Sequence, residues 1–478
     1  MTYMNNKTKY LLKNTGILTI SNFATKIISF LLVPLYTEIL STFEYGSYDL
    51  ITASVGFIFP ILSLNIVDAI MRFSLDSSQS KNDIGKIGLI YVLRSNIIVS
   101  FAILALYLFD VFPALNEIYG LAILYYFFSS FYTYLIQFAK GCENVKTLGI
   151  SGVLGTIIII IFNIIFLVVL KLGIMGMFWA SIITQAINCG YLGVKLSLFT
   201  RIKEGKYNRD LEKQMLLYCI PLIATTLGWW INNASDKYIV AFYLGASANG
   251  ILAISYKLPT IINTLQSIFI QAWQISAIKE YGTEDASGFY GNVFSKINLM
   301  MCASCSWLII LAIPIAKLLF AKDFFDAWRY SPFLIISSVM NSASGLLGPI
   351  LSARKNSKAL ALSAVYGATA NIVLNIILVY YLGIQGATIA TLISSFIIFI
   401  VRKFAVGNDI KIRNNSIIVI TWVMLCVQAF IEIYINNYIV QIVLMMLMLL
   451  MNWNEVHQIG ATFVRAIKNG KRGFSNPL

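Results

Sequence analysis

The chain has 478 residues, of which 58% are apolar and 12% charged, with a formal net charge of +14. A soluble domain is about 45–50% apolar and about 25% charged. This composition, with a mean hydropathy of +0.78, therefore excludes a soluble globular fold and makes lipid the main solvent.

A spanning helix takes about 20 apolar residues, and an open strand would leave backbone groups unpaired in lipid. The apolar runs predict an all-α polytopic protein of about fourteen spans. They cover 14–36, 46–71, 87–109, 117–139, 147–170, 173–196, 214–240, 248–275, 293–319, 330–352, 359–382, 384–401, 416–435 and 438–453. Lys26 interrupts the first run and no small-residue cleavage site follows, so this run is expected to persist as a helix and not be removed as a signal peptide. No polar stretch is long enough to build a compact catalytic domain outside the membrane.

Basic residues crowd alternate loops, which sets orientation by the positive-inside rule. Lys7, Lys9 and Lys13 precede the first span, and Lys140 and Lys146 follow the fourth. Lys195, Arg201, Lys203, Lys206, Arg209 and Lys213 lie between the sixth and seventh, and Arg402, Lys403, Lys411 and Arg413 follow the twelfth. The opposite loops hold Lys171, Lys237, Lys317, Lys322 and Arg329. Both termini are expected in the cytoplasm, and the positive balance is mostly a topology signal with some attraction to anionic lipid, not a nucleic-acid footprint.

The chain carries an internal repeat. Lys146, Ser151, Gly155 and Asn163 recur 212 residues later as Lys358, Ser363, Gly367 and Asn375. Gly173, Gly176 and Ala180 recur as Gly383, Gly386 and Ala390, and Leu40 and Gly46 as Leu244 and Gly250. The offset equals six spans, an even number, so the copies enter from the same side. This predicts two parallel six-helix lobes related by a pseudo-two-fold along the membrane normal, the architecture of alternating access. The expected divisions are an N-lobe over 1–200, a C-lobe over 201–405, and two extra C-terminal helices with a basic tail over 406–478.

Little in the chain suggests catalysis. There is no Walker A pattern, and the acidic residues are scattered. His457 is the one histidine, so a His-based metal site is not available and no cofactor is expected. Cys302 and Cys305 form a CxxC inside an apolar run and read as packing residues.

The informative residues are charges inside spans, which usually face a cavity or a partner. Lys26 sits roughly 18 Å into the first span at 1.5 Å per residue, Lys257 lies inside the eighth and Arg94 inside the third. No acidic residue lies one helical turn from Lys26 or Lys257, so both read as lining a wet cationic cavity for an anionic ligand. Arg94 suits snorkelling equally well. Asp68 and Arg72 are spaced to pair with each other. Asp236 is a candidate to pair with Lys26 or Lys257, or to bind a coupling cation. Asn22, Asn232, Asn233, Gln266, Gln271 and Gln274 add amides to spans 1, 7 and 8, suited to cavity lining or to helix–helix hydrogen bonds. Pro34, Pro60, Pro221 and Pro259 place bends in the same helices that open each repeat.

Two stretches, PLYTEILSTFEYGSYDL from Pro34 and SDKYIVAFYLGASANGILAISYKL from Ser235, resemble the polysaccharide transporter family of the multidrug/oligosaccharidyl-lipid/polysaccharide flippase superfamily. The resemblance implies a bacterial cytoplasmic-membrane flippase. Its cargo would be an undecaprenyl-diphosphate-linked O-antigen or capsular repeat unit, carried from the inner to the outer leaflet. It further implies a central cavity lined by spans 1, 2, 7 and 8, in which Lys26 and Lys257 contact the diphosphate and Arg94 is a third candidate. A polysaccharide polymerase and chain-length machinery are implied partners. The alternatives are a drug/cation antiporter of the same superfamily, a flippase for peptidoglycan precursor or teichoic acid, and a membrane polymerase or ligase, the last disfavoured by short outer loops.

Overall fold

The computed structural model describes residues 30–461, except 77–78, 112, 114–115, 355 and 413–414. Among these the regular elements are all helical. Among the described residues nine helices are long and apolar enough to cross a membrane, or up to twelve if each sharply bent pair counts as one span. This is a multi-span membrane protein.

Two compact units divide the chain, Met1–Gly250 and Ile251–Leu478. The first holds α1 (Val33–Ile39), α2 (Thr42–Leu62), α3 (Ile66–Ser74), α4 (Lys81–Leu108), α5 (Tyr119–Gly141) and α6 (Val145–Asn163), continued by a π-helical turn. It continues through α7 (Gly173–Lys195), α8 (Leu198–Glu204), α9 (Arg209–Leu244) and the first half of α10 (Ala246–Ser255). The second unit holds α11 (Lys257–Glu280), α12 (Ala286–Ile310), α13 (Ala312–Leu319), a 3-10 segment, α14 (Ser331–Ala353), α15 (Ser357–Leu382), α16 (Ile384–Val406), α17 (Asn415–Tyr434) and α18 (Tyr438–Met451).

The helices are turned inside out relative to a soluble fold. Along α6, Ile150, Val153, Ile157 and Ile161 are exposed, while Ser151, Thr156 and Asn163 are buried. In α15, Val365, Val373 and Ile376 are exposed, while Ser363, Asn371 and Asn375 are buried. Apolar side chains gain nothing by leaving lipid, so small and polar residues take the helix contacts.

The repeat-matched positions do the same job in each unit. Asn163 donates to Ile159 O at 2.7 Å, and Asn375 donates to Asn371 O at 2.8 Å. A Cβ on Gly155 would meet the Asn188 amide at 2.6 Å, and one on Gly367 would meet Ile398 at 2.3 Å. Gly173 and Gly383 both have left-handed backbones, φ +54° and +61°, which glycine adopts without a Cβ penalty. Glu44 exploits the bare backbone at Gly173. Its Oε1 accepts the Ile174 N–H at 3.1 Å, while its Oε2 accepts the Ser41 N–H at 2.9 Å. One carboxylate thus serves the N-termini of both α7 and α2.

Several helices end or bend where sequence reading runs them on. The eighth predicted span breaks at Tyr256 into α10 and α11. Pro259 lies in the first turn of α11, where its missing N–H costs nothing, and the carbonyl it leaves free, Ser255 O, accepts the Ser331 hydroxyl at 3.1 Å. Pro34 likewise opens α1, whereas Pro60 and Pro221 lie inside α2 and α9. The 45° bend of α9 falls at Gly228, not at Pro221. The basic segment between α7 and α9 is strapped to the start of α4. Lys86 Nζ donates to Gly205 O at 2.8 Å, and Asp83 Oδ1 accepts the Lys206 N–H at 2.7 Å.

Candidate functional site

In the first unit α2 meets α10 and α9. At the crossing with α10 the backbones touch. A Cβ on Gly46 would lie 1.9 Å from Ala246 O, and a Cβ on Gly250 would lie 2.1 Å from Thr42 O. Thr42 and Ala246 are themselves spaced by the repeat offset of Gly46 and Gly250. The contact is isologous, each copy's residue meeting the other copy's counterpart.

One turn along α2 from Gly46 lies an ion pair. Lys237 Nζ of α9 stands 2.9 Å from Asp49 Oδ1, with the two side chains 20% and 19% exposed. Asn249 braces it, donating from Nδ2 to Gly46 O at 3.0 Å and to Asp49 Oδ2 at 3.3 Å. Further along, Tyr238 OH shares a hydrogen bond with Ser54 Oγ at 2.8 Å and donates to Leu50 O at 3.1 Å. Trp230 Nε1 donates to Ala53 O at 3.0 Å, with its ring 4.4 Å from that of Phe57. A polar ladder therefore joins α2 to α9, with its two full charges neutralised against each other.

The predicted site residues fall in different places. Asn22 and Lys26 lie outside the described residues. Asp236 is 3% exposed, and its Oδ1 accepts the Lys237 N–H at 2.9 Å. It is adjacent to the ion pair on α9. Asn232 lies one turn earlier, its Oδ1 buried without a hydrogen-bond partner. Asn233 is exposed on the same helix, and so is Arg94 on α4. The structure thus brings Asp236 and Asn232 alongside the ladder and leaves Arg94 apart from it. In the second unit, Lys257 is the first residue of α11, part-buried and already engaged by a partner that local spacing did not reveal. Gln266 reaches α14, its Nε2 standing 3.6 Å from where a Cβ on Gly345 would be. Gln271 and Gln274 lie on the same helix.

Two sequence readings need correcting. The oxygens of Asp68 accept from Asn65 at 2.8 Å and from Gln137 at 3.4 Å, so its hydrogen bonds run along and across helices instead of to Arg72. Arg402 belongs to no loop. It lies within α16, its Nε donating to Ser363 Oγ at 3.0 Å and its Nη1 to Ser344 O at 2.9 Å.

Asp49 is a charged group of this ladder that sequence reading missed. Asp49 is contained in the stretch from Pro34 quoted above, three residues after a repeat glycine. That position was its one available signal.

The sequence profile of the family described as polysaccharide biosynthesis protein matches residues 11–274, a span that includes the whole α2–α9–α10 ladder. The chain belongs to this family. Its fold is shared with the lipid II flippase MurJ in an inward closed conformation, at TM-score 0.62 and 18% identity, covering 93% of this chain and 99% of that one. It is shared also with an inward-facing multidrug resistance MATE family transporter of the MOP superfamily, at TM-score 0.61 and 14% identity, covering 81% and 94%. A third likeness is to the Vibrio cholerae MATE transporter VcmN, at TM-score 0.52 and 15% identity, covering 85% and 98%. No curated protein matches the chain. Membership of the polysaccharide biosynthesis family and a flippase and transporter fold thus stand together.

Proposed function

We propose that the protein is a flippase for a polyprenyl-diphosphate-linked oligosaccharide, an O-antigen or capsular repeat unit. It moves this cargo from the inner to the outer leaflet of the bacterial cytoplasmic membrane by alternating access, driven by an ion gradient. The protein does no covalent chemistry on the sugar, and both termini face the cytoplasm. The supporting observation is the family match over 11–274. The fold alone is neutral on cargo, because its scores to a lipid II flippase and to a multidrug transporter are nearly equal.

On this reading Lys26 and Lys257 receive the diphosphate, with Arg94 as a third contact. Each is a basic residue that hydropathy places inside a span. Asn22, Asn232, Asn233, Gln266 and Gln271 supply hydrogen bonds to sugar hydroxyls. The unpartnered Asn232 Oδ1 is an acceptor awaiting such a donor. Asp236 is the carboxylate proposed for ion coupling. Release must follow binding, so the grip on phosphate is moderate.

The test is complementation of a strain lacking the protein. Lys26→Glu with Lys257→Glu is expected to abolish surface polysaccharide at undiminished membrane level of the protein. Unchanged polysaccharide overturns the assignment. A drug/cation antiporter is the second reading, favoured by the acids Asp49 and Asp236 in the first unit. It wins if deletion abolishes drug resistance and spares surface glycans.

A further inference from the structure

The two C-terminal helices, α17 and α18, hold a buried carboxyl that the flippase reading does not use. Glu432, near the end of α17, has 0% exposure, as does Gln441 on α18. Gln441 Nε2 donates to Glu432 Oε2. The other oxygen of each group, Glu432 Oε1 and Gln441 Oε1, is buried with no hydrogen-bond partner. An amide oxygen and an ionised carboxylate oxygen are both acceptors only, so neither supplies what the other lacks. Turning the amide end over end does not help, because its oxygen would then face Glu432 Oε2, acceptor against acceptor.

Among the described residues no lysine or arginine acts on this carboxyl. Lys237 with Asp49, Arg329 with Asp326, and Arg354 with Asp409 are ion pairs that lie elsewhere. Besides Gln441, the Ile313 backbone N–H of α13 is directed at the carboxyl, and the phenol of Tyr438 on α18 lies within its electrostatic reach. Three buried polar contacts of α17 in this unit join neutral groups. Trp422 donates to Asn298 at 3.0 Å, Ser306 donates to Gln428 at 2.8 Å, and Asn452 donates to Thr421 at 3.2 Å. Among these buried contacts Glu432 is the ionisable member, and its Oε1 lacks a partner.

We propose that Glu432 is a proton-binding site, held as the neutral acid and closed against Gln441 as a cyclic acid–amide pair. The proton, taken from water, sits on Oε1 and is donated to Gln441 Oε1, while Gln441 Nε2 donates to Oε2. One proton satisfies both stranded oxygens, and every hydrogen-bonding atom of the pair is then used. The ligand is a proton and the site lies outside the sequence repeat, so the inference stands or falls independently of the cargo.

The test is infrared difference spectroscopy of the full-length protein in lipid nanodiscs at pH 7, wild type against Glu432→Gln. The substitution keeps a cyclic amide–amide pair, so folding is expected to survive. Loss of one protonated-carboxyl C=O band supports the proposal, and Gln441→Met is expected to shift that same band. Loss of a carboxylate doublet instead, with or without added sodium or potassium, overturns it. Where Glu432→Gln gives no folded protein, the Gln441→Met spectrum decides alone. A shifted protonated-carboxyl band supports the site, and no change in that region overturns it.

Discussion

The Asp49–Lys237 pair predicts a specific pattern of stability loss. At 2.9 Å the attraction is roughly 6 kcal/mol at an effective dielectric of about 20, and desolvation of both groups offsets most of it. Asp49→Asn leaves the Lys237 ammonium without its counter-charge in a site about four-fifths enclosed. Removing one partner of a fully buried pair costs about 3–5 kcal/mol. The remaining exposure lowers that to about 2 kcal/mol, since water screens part of the stranded charge. Lys237→Met strands Asp49 in the same way, although Asn249 still donates to it, so its penalty should be slightly smaller. The double variant strands nothing. Its cost should fall below the sum of the single costs by roughly 2 kcal/mol, a coupling typical of contacting residues. Thermal unfolding of purified protein, followed by tryptophan fluorescence, reads this directly because Trp230 lies 5.2 Å from Tyr238 on the same ladder. Additive penalties, or a neutral Asp49→Asn, would refute the claim that this pair locks α2 to α9.

Two further outcomes follow from backbone contact and thiol chemistry. Gly46→Ala and Gly250→Ala place a Cβ 1.9 and 2.1 Å from backbone oxygens. Each should cost about 2–3 kcal/mol and lower the yield of folded protein, whereas Gly190→Ala, with nothing within 4 Å, should gain up to about 1 kcal/mol of helix propensity. Cys142, in the turn after α5, is part-exposed while Cys189, Cys219, Cys302 and Cys305 are buried. Burial pushes its thiol above the ordinary value, so the reactive thiolate is scarce at pH 7. Maleimide labelling of a variant retaining Cys142 alone should be slow and rise about tenfold per pH unit below that raised value. It should proceed faster from the cytoplasmic side. Faster labelling from outside would invert the topology.

What the sequence discloses here is position, and what it conceals is partnership. Hydropathy locates helices because lipid imposes one requirement on every spanning backbone. The repeat locates glycines because a close backbone crossing tolerates no Cβ, and Gly46 and Gly250 meet at such a crossing. Charges obey no comparable local rule. Lys237 finds Asp49 across 188 residues, although Asp236 is its chain neighbour, because the helix crossing sets which side chains converge. Arg402 shows the same limit from the other side. An apolar run that stops at residue 401 reads as the end of a span, yet α16 continues to Val406 and carries the guanidinium onto Ser363 and the Ser344 carbonyl. A span therefore ends where its backbone loses its i−4 partners, and a charge one residue past the apolar run belongs inside whenever a neighbouring helix offers a hydroxyl and a carbonyl to hold it.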